Sequence, residues 1–156
     1  MPDMLVKLYE LPPLETALAA VSVHGVDVRR ALAPEKPVVL AWVHAHFAGW
    51  AAEVEAAYGR LPIACFVAAR GQQLLGFACY DATAPNFFGP EGVLAGERGR
   101  GVGRVLLLAV LHAQREQGYG YAIIGGVGPA AFYEKTVGAL PIAGSDPGLY
   151  RGTLRP

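Results

Sequence analysis

The sequence predicts a mixed α/β domain with a mostly antiparallel central sheet and flanking helices. Three observations predict it. Strand-like segments at 63–69, 74–80 and 87–94 follow one another with only turn or loop residues between them, the order of an antiparallel meander. A long apolar helix at 101–117 and a short strand at 121–124 come next, and this order lacks the regular alternation of a doubly wound parallel sheet. The chain has 156 residues, 53% of them apolar and 17% charged. That length suits one domain burying about 70% of its unfolded surface.

Each element has a local reason. Residues 4–10 (MLVKLYE) alternate apolar and polar side chains as a strand does, and Pro12-Pro13 stops them. Residues 14–23 carry helix formers until Gly25, and 26–32 (VDVRRAL) read as a second strand. Ala33-Pro34-Glu35 has the proline of a helix start. Helices are then expected at 38–47 and 50–58, divided by Gly49. The polar turn Arg70-Gly71-Gln72-Gln73 joins the strands at 63–69 and 74–80 into a hairpin. Gly89, Pro90 and Gly92 interrupt the strand at 87–94, so a bulge or bend is expected there. The helix at 101–117 ends at Gly118, and Pro129 opens a short helix at 129–136. Segments 140–143 and 149–154 read as closing strands around a Ser145-Asp146-Pro147-Gly148 turn.

Composition excludes several classes. Lys plus Arg equals Asp plus Glu at 13 each, whereas a wholesale nucleic-acid binder carries a basic excess. Two cysteines, Cys65 and Cys79, are too few for a disulfide framework or a structural zinc site; two buried thiols are expected. His44 and His46 are two apart on a helix and face different ways, so no metal is expected. No run approaches the ~20 apolar residues of a membrane span, and no basic stretch precedes an apolar core at the start. The expectation is a cytoplasmic protein. Its charge is uneven: residues 1–96 carry −3 and residues 97–156 carry +3, with 12 of the 20 glycines in the second part. A bound anion is expected in that basic, glycine-rich part.

The sharpest feature is Arg98-Gly99-Arg100-Gly101-Val102-Gly103-Arg104, between a strand and the long helix. Three arginines at a helix N-terminus oppose its dipole unless an anion sits there. The glycines let backbone N–H groups approach a ligand closely, so strand, turn and helix form a diphosphate cradle. The alternative is an ordinary exposed Arg/Gly turn. A Walker loop is absent, and the third glycine of a dinucleotide fingerprint would fall on Arg104.

Arg98-x-x-Gly101-x-Gly103, after a strand ending Gly92-Val93-Leu94, resembles the pyrophosphate loop of the GNAT family of N-acetyltransferases. The likeness continues through the long helix, the strand YAIIGG and the helix Phe132-Tyr133-Glu134-Lys135 followed by Gly138. It covers residues 26–154 in element order, most strongly 88–139. The chain is expected to be one GNAT domain, 1–156, with residues 1–24 an added strand and helix outside the common core. It departs from the family pattern at Gly126 and Pro129, where many members have Asn and Ala, and at Val137, an added residue before Gly138.

The resemblance implies an acetyl-CoA-dependent transferase acting on a primary amine, with a small-molecule acceptor expected, and a possible homodimer. The diphosphate would rest on the amides of Arg98, Gly99, Arg100, Gly101, Val102, Gly103 and Arg104. Backbone groups of Val93 and Leu94 would pair with the pantetheine arm beside Phe132. The amine would attack directly through a tetrahedral intermediate. Tyr133 is the expected general acid, since a phenol of pKa about 10 holds its proton at neutral pH. Glu91 is the first choice of base, because alternation sets it on the face of Val93; Glu53, Glu55 and bulk solvent are alternatives. Trp42, Phe47, Trp50 and Tyr58 are read as core or dimer contacts ahead of acceptor-pocket walls. The rival functions are a non-catalytic acyl-CoA-binding module and a protein N-terminal or lysine acetyltransferase.

Overall fold

A computed structural model describes residues 1–155. Seven strands form one sheet in the order β2-β3-β4-β5-β6-β1-β7. They are β1 (Met4–Lys7), β2 (Val26–Arg30), β3 (Cys65–Arg70), β4 (Gln73–Tyr80), β5 (Phe87–Val93), β6 (Tyr121–Ile124) and β7 (Leu140–Pro141). Every pairing is antiparallel except β5 with β6. Five helices flank the sheet: α1 (Leu14–Ser22), α2 (Lys36–His46), α3 (Ala51–Tyr58), α4 (Val102–Glu116) and α5 (Ala130–Val137). No helix among the described residues is long and apolar enough to cross a membrane.

The centre of the molecule is α4, whose residues 105–111 are all buried. It packs on β3, β4 and β5 and is covered on its outer side by α1. A helix apolar on most faces needs cover on most faces, and this placement supplies it. On the other face of the sheet α2 and α3 cover β3 and β4, with Phe77 fully buried against Trp42, Phe47 and Trp50. Cys65 and Cys79 lie opposite each other in the hairpin as free, buried thiols.

Three expected elements differ. The first strand stops at Lys7 and Leu8–Glu10 form a single 3-10 turn. Leu8 is buried there, with its amide bonded to Gly120 O at 3.0 Å. The strand β1 before it lies within the sheet, between β6 and β7. The strand expected at 149–154 is absent. Gly148–Tyr150 form a 3-10 turn, and the Arg151 and Thr153 amides bond back to Gly148 O and Tyr150 O. Local turns thus use the donors that a ladder needs. The strand expected at 140–143 is limited to two residues, one of them a proline without a donor.

The irregularity expected at Gly89-Pro90 is present. Phe88 pairs with Tyr80 while Glu91 pairs with Ala78, so β5 holds one more residue than β4 across this stretch. This is also where β5 and β6 part: they pair only at Phe87↔Ile123 and Phe88↔Ile124 and then diverge. A cavity of about 790 Å³ fills the opening.

Candidate functional site

One wall of the cavity is β5 itself. Leu94 N–H bonds Leu75 O at 2.9 Å, so Leu94 is turned toward β4. Antiparallel alternation then directs the amides of Val93 and Glu91 to the cleft. This corrects the role expected for Leu94, whose donor is already used. Val93 keeps a cleft-facing amide, although its carbonyl accepts a 3.1 Å hydrogen bond from Arg98 Nε.

The arginine-glycine corner closes one end. Gly99 and Gly101 have φ of +77° and +86°, a left-handed conformation that favours glycine. Gly101 caps α4 and no side chain caps the helix, so the first-turn amides of Val102, Gly103 and Arg104 lack both helical and side-chain partners. Of the corner, Arg98 and Gly103 line the cavity. The Val102 side chain is buried beneath it, whereas Arg100 and Arg104 are exposed at the rim. Glu97 is engaged by Arg70 at 2.8 Å, which with nearby Arg100 holds its carboxylate below the usual range. Arg100 reaches Glu97 only at 3.9 Å, and no carboxylate among the described residues lies within ion-pair distance of Arg104. A positive, uncapped, glycine-lined helix end is fit to hold a phosphate group.

The opposite wall is α5. Tyr133 is 9% exposed, packed edge-on to Phe88 at 6.2 Å and Phe132 at 5.2 Å between ring centres. Burial, and secondarily the nearby Glu91, push its phenol pKa up. Glu91 shares a face with Val93: a Cβ built on Gly103 would sit 3.6 Å from Glu91 Oε1 and 3.8 Å from Val93 Cγ2. Part of Glu91 meets the cavity, but Oε1 is out of solvent and has no hydrogen-bond partner. Burial alone pushes this carboxyl well above the usual range. A carboxyl raised by burial holds its proton more firmly than an exposed one, the direction in which carboxyls are tuned for acid–base work. Its neutral form suits a place beside an anion cradle.

The cavity floor follows β6. Gly126 N–H donates to Asp3 Oδ1 at 2.8 Å and Val127 N–H to Pro2 O at 3.2 Å. The N-terminal segment thus holds the loop after β6 in position.

Of the remaining lining, Glu53 is expected from sequence as an alternative base, whereas Thr83 and Tyr150 are not expected at all. Phe47 and Trp50 stack at 5.4 Å with planes 14° apart and face the cavity beside Glu53, Thr83 and Tyr150. Phe47 and Trp50 were expected in core or dimer contacts, and both are cavity walls. Trp42 and Tyr58 do pack against the core. Glu55 is exposed and 3.7 Å from Lys36, away from the lining. His112 bonds Pro12 O at 2.8 Å, a structural contact.

The topology and the divergence of β5 and β6 place the chain in a fold with solved representatives. Solved structures with the same fold include GCN5-related N-acetyltransferases from Sphaerobacter thermophilus (TM-score 0.68, 18% identity) and Kribbella flavida (TM-score 0.55, 17% identity). Another is a GCN5-related glucosamine N-acetyltransferase region within a fungal multi-domain GH3 β-N-acetylglucosaminidase (TM-score 0.75, 13% identity). Each match covers 90% of this chain and 48%, 53% and 19% of the respective solved chain. The chain therefore spans about half of the first two and a fifth of the third. No protein-family model matches the sequence, and no curated protein matches it. The fold is that of the GCN5-related N-acetyltransferases.

Proposed function

We propose that the protein transfers an acetyl or similar short acyl group from acyl-CoA to the primary amine of a small molecule. The observation that carries the reading is the juxtaposition across one cleft of the uncapped, glycine-lined end of α4 and the buried phenol of Tyr133. Acyl-CoA, when bound, supplies an activated thioester.

The amides of Val102, Gly103 and Arg104 hold the diphosphate, with Arg100 and Arg104 at the rim adding charge. The cleft-facing amide of Val93 donates to the acyl oxygen as negative charge develops there. In well-studied hydrolases such a donor is worth roughly 3 kcal/mol. The amine nitrogen forms a bond to the acyl carbon, the carbon–sulfur bond breaks, and Tyr133 gives its proton to the departing sulfur. A phenol pushed above its ordinary value keeps its proton at neutral pH, so the donor is available there. The amine loses one proton to solvent, and the Tyr133 phenolate recovers one from solvent, so the cycle closes with amide, thiol and the phenol restored. Close positioning of the amine supplies much of the rate.

Two measurements test this. Coenzyme A raises the melting temperature by mass action on the native state, and thiol is released from acetyl-CoA only when an amine is present. No thermal response to millimolar coenzyme A refutes the reading; a response without amine-dependent thiol release leaves a non-catalytic acyl-CoA-binding module.

A further inference from the structure

We propose that the end of the cavity on the α2/α3 face of the sheet is a subsite for a cation with a flat apolar body, Glu53 holding the charge and Trp50 the plane. The assignment deepens the acyl-transfer reading and rests on it for the amine's fate, though not for its binding.

The two faces of β5 give the cavity two chemistries. Glu91 and Val93 look toward Gly103 and the anion corner. Gly92 looks the other way, where a Cβ would meet Phe47 and Phe77 at 2.9 Å. On that side the lining changes to Phe47, Trp50, Glu53, Thr83 and Tyr150.

Glu53 is the unusual member. Thr83 Oγ1 donates to its carboxylate, and among the described residues no Lys, Arg or His lies within ion-pair distance of it. The contrast along the same helix is direct: exposed Glu55 has Lys36, while the part-buried Glu53 facing the cavity has no cation. Glu35, Asp81 and Glu97 elsewhere each have an arginine. The negative charge is felt locally, since Tyr150 is pushed up by burial first and by Glu53 and Asp3 after it. A partly desolvated carboxylate facing a concave space draws a cation to it.

Trp50 supplies the second determinant. Its ring is held flat against Phe47, and both rings lean on the buried Phe77, yet 37% of the residue stays exposed at the cavity. A fixed aromatic plane beside a carboxylate suits an aromatic or heteroaromatic ring carrying an alkylammonium group.

The test is calorimetric titration of the whole protein, with and without coenzyme A, using four probes: 2-phenylethylamine, 2-phenylethanol, n-hexylamine and glucosamine. The expected order puts 2-phenylethylamine first, with the neutral alcohol about tenfold weaker or worse, the range of one charge-assisted hydrogen bond. Glu53→Gln lowers the affinity of both 2-phenylethylamine and n-hexylamine by a similar factor while coenzyme A binding is unchanged. Trp50→Ala weakens the phenyl amine several-fold and spares n-hexylamine. Equal binding of amine and alcohol, or no effect of Glu53→Gln in a variant that still binds coenzyme A, overturns the proposal. Glucosamine matching 2-phenylethylamine overturns the flat apolar body. If coenzyme A fails to bind while the amine pattern holds, the transfer reading falls and this subsite stands.

Discussion

Glu91→Gln gives the sharpest test of the buried carboxyl. Glu91 Oε1 is out of solvent without a partner, and burial raises the group well above its usual range. In the unfolded chain the same carboxyl titrates near about 4.3. Below that value both states are protonated and stability is intact. Above it the unfolded chain releases the proton while the folded chain keeps it. The folded state then binds one more proton, so stability falls as pH rises until the raised folded pKa is passed. One proton corresponds to about 1.4 kcal/mol per pH unit, or roughly 3–5 °C in melting temperature per unit for a domain of this size. Glutamine has the same shape and does not titrate. Urea denaturation of both proteins from about pH 4 upward gives the difference between them, which cancels every other titrating group. That difference is expected to slope toward the variant by about 1.4 kcal/mol per unit. Parallel stability curves refute the reasoning and mean that Glu91 is charged in the folded protein.

Other predictions concern the cleft. Tyr133→Phe lowers turnover about 100-fold, the lower range for a positioned acid, while coenzyme A affinity measured by thermal shift changes little; equal turnover removes the phenol from the chemistry. Arg104→Ala weakens coenzyme A binding several-fold and flattens its salt dependence, since an exposed charge acting on a phosphate is screened; an unchanged salt profile by titration places the anion elsewhere. Gly92→Ala forces a methyl to within 2.9 Å of Phe47 and Phe77. It costs about 1–3 kcal/mol by urea denaturation, and displacing Phe47 into the cavity weakens amine binding more than coenzyme A binding. A variant as stable as the parent contradicts the tight packing at that position.

The parts of the fold legible in sequence are those with a local cause. Alternation and turn chemistry place the hairpin at 65–80, the bulge at Gly89-Pro90 and the shared face of Glu91 and Val93. A run of apolar residues places α4, and glycines mark the corner before it. What escaped depends on pairings distant in the chain. Nothing in residues 4–7 says that they insert between β6 and β7, or that Asp3 reaches the amide of Gly126. Phe47 and Trp50 read as core because aromatic residues in a helix pair usually are; their exposure to the cavity depends on Gly92 having no side chain to fill it. Glu53 reads in sequence only as an alternative base beside Glu55, and what separates the two, the cation partner that Glu55 has and Glu53 lacks, lies in the fold. Tyr150 reads as strand because the turn is set at Ser145-Asp146-Pro147-Gly148, which leaves Gly152 inside the segment 149–154. Gly148 and Gly152 both adopt left-handed conformations, and Tyr150 between them lines the cavity.

The supernumerary residue in β5 sets the parity of everything after it. Phe88 and Glu91 are three apart, an odd interval that in an unbroken strand sends two side chains to opposite sides. With the insertion they pair with Tyr80 and Ala78, an even interval apart, and so both point toward α4. Ironing out the bulge with every residue kept would therefore set Glu91 one register step on, carrying its carboxyl across to the aromatic side and the hydrogen of Gly92 toward the helix. A single-codon deletion of Gly89 or Pro90 would instead straighten β5 and leave Glu91 opposite Ala78, so the polarity of the two halves of the cleft is set by the bulge and not by the residue count.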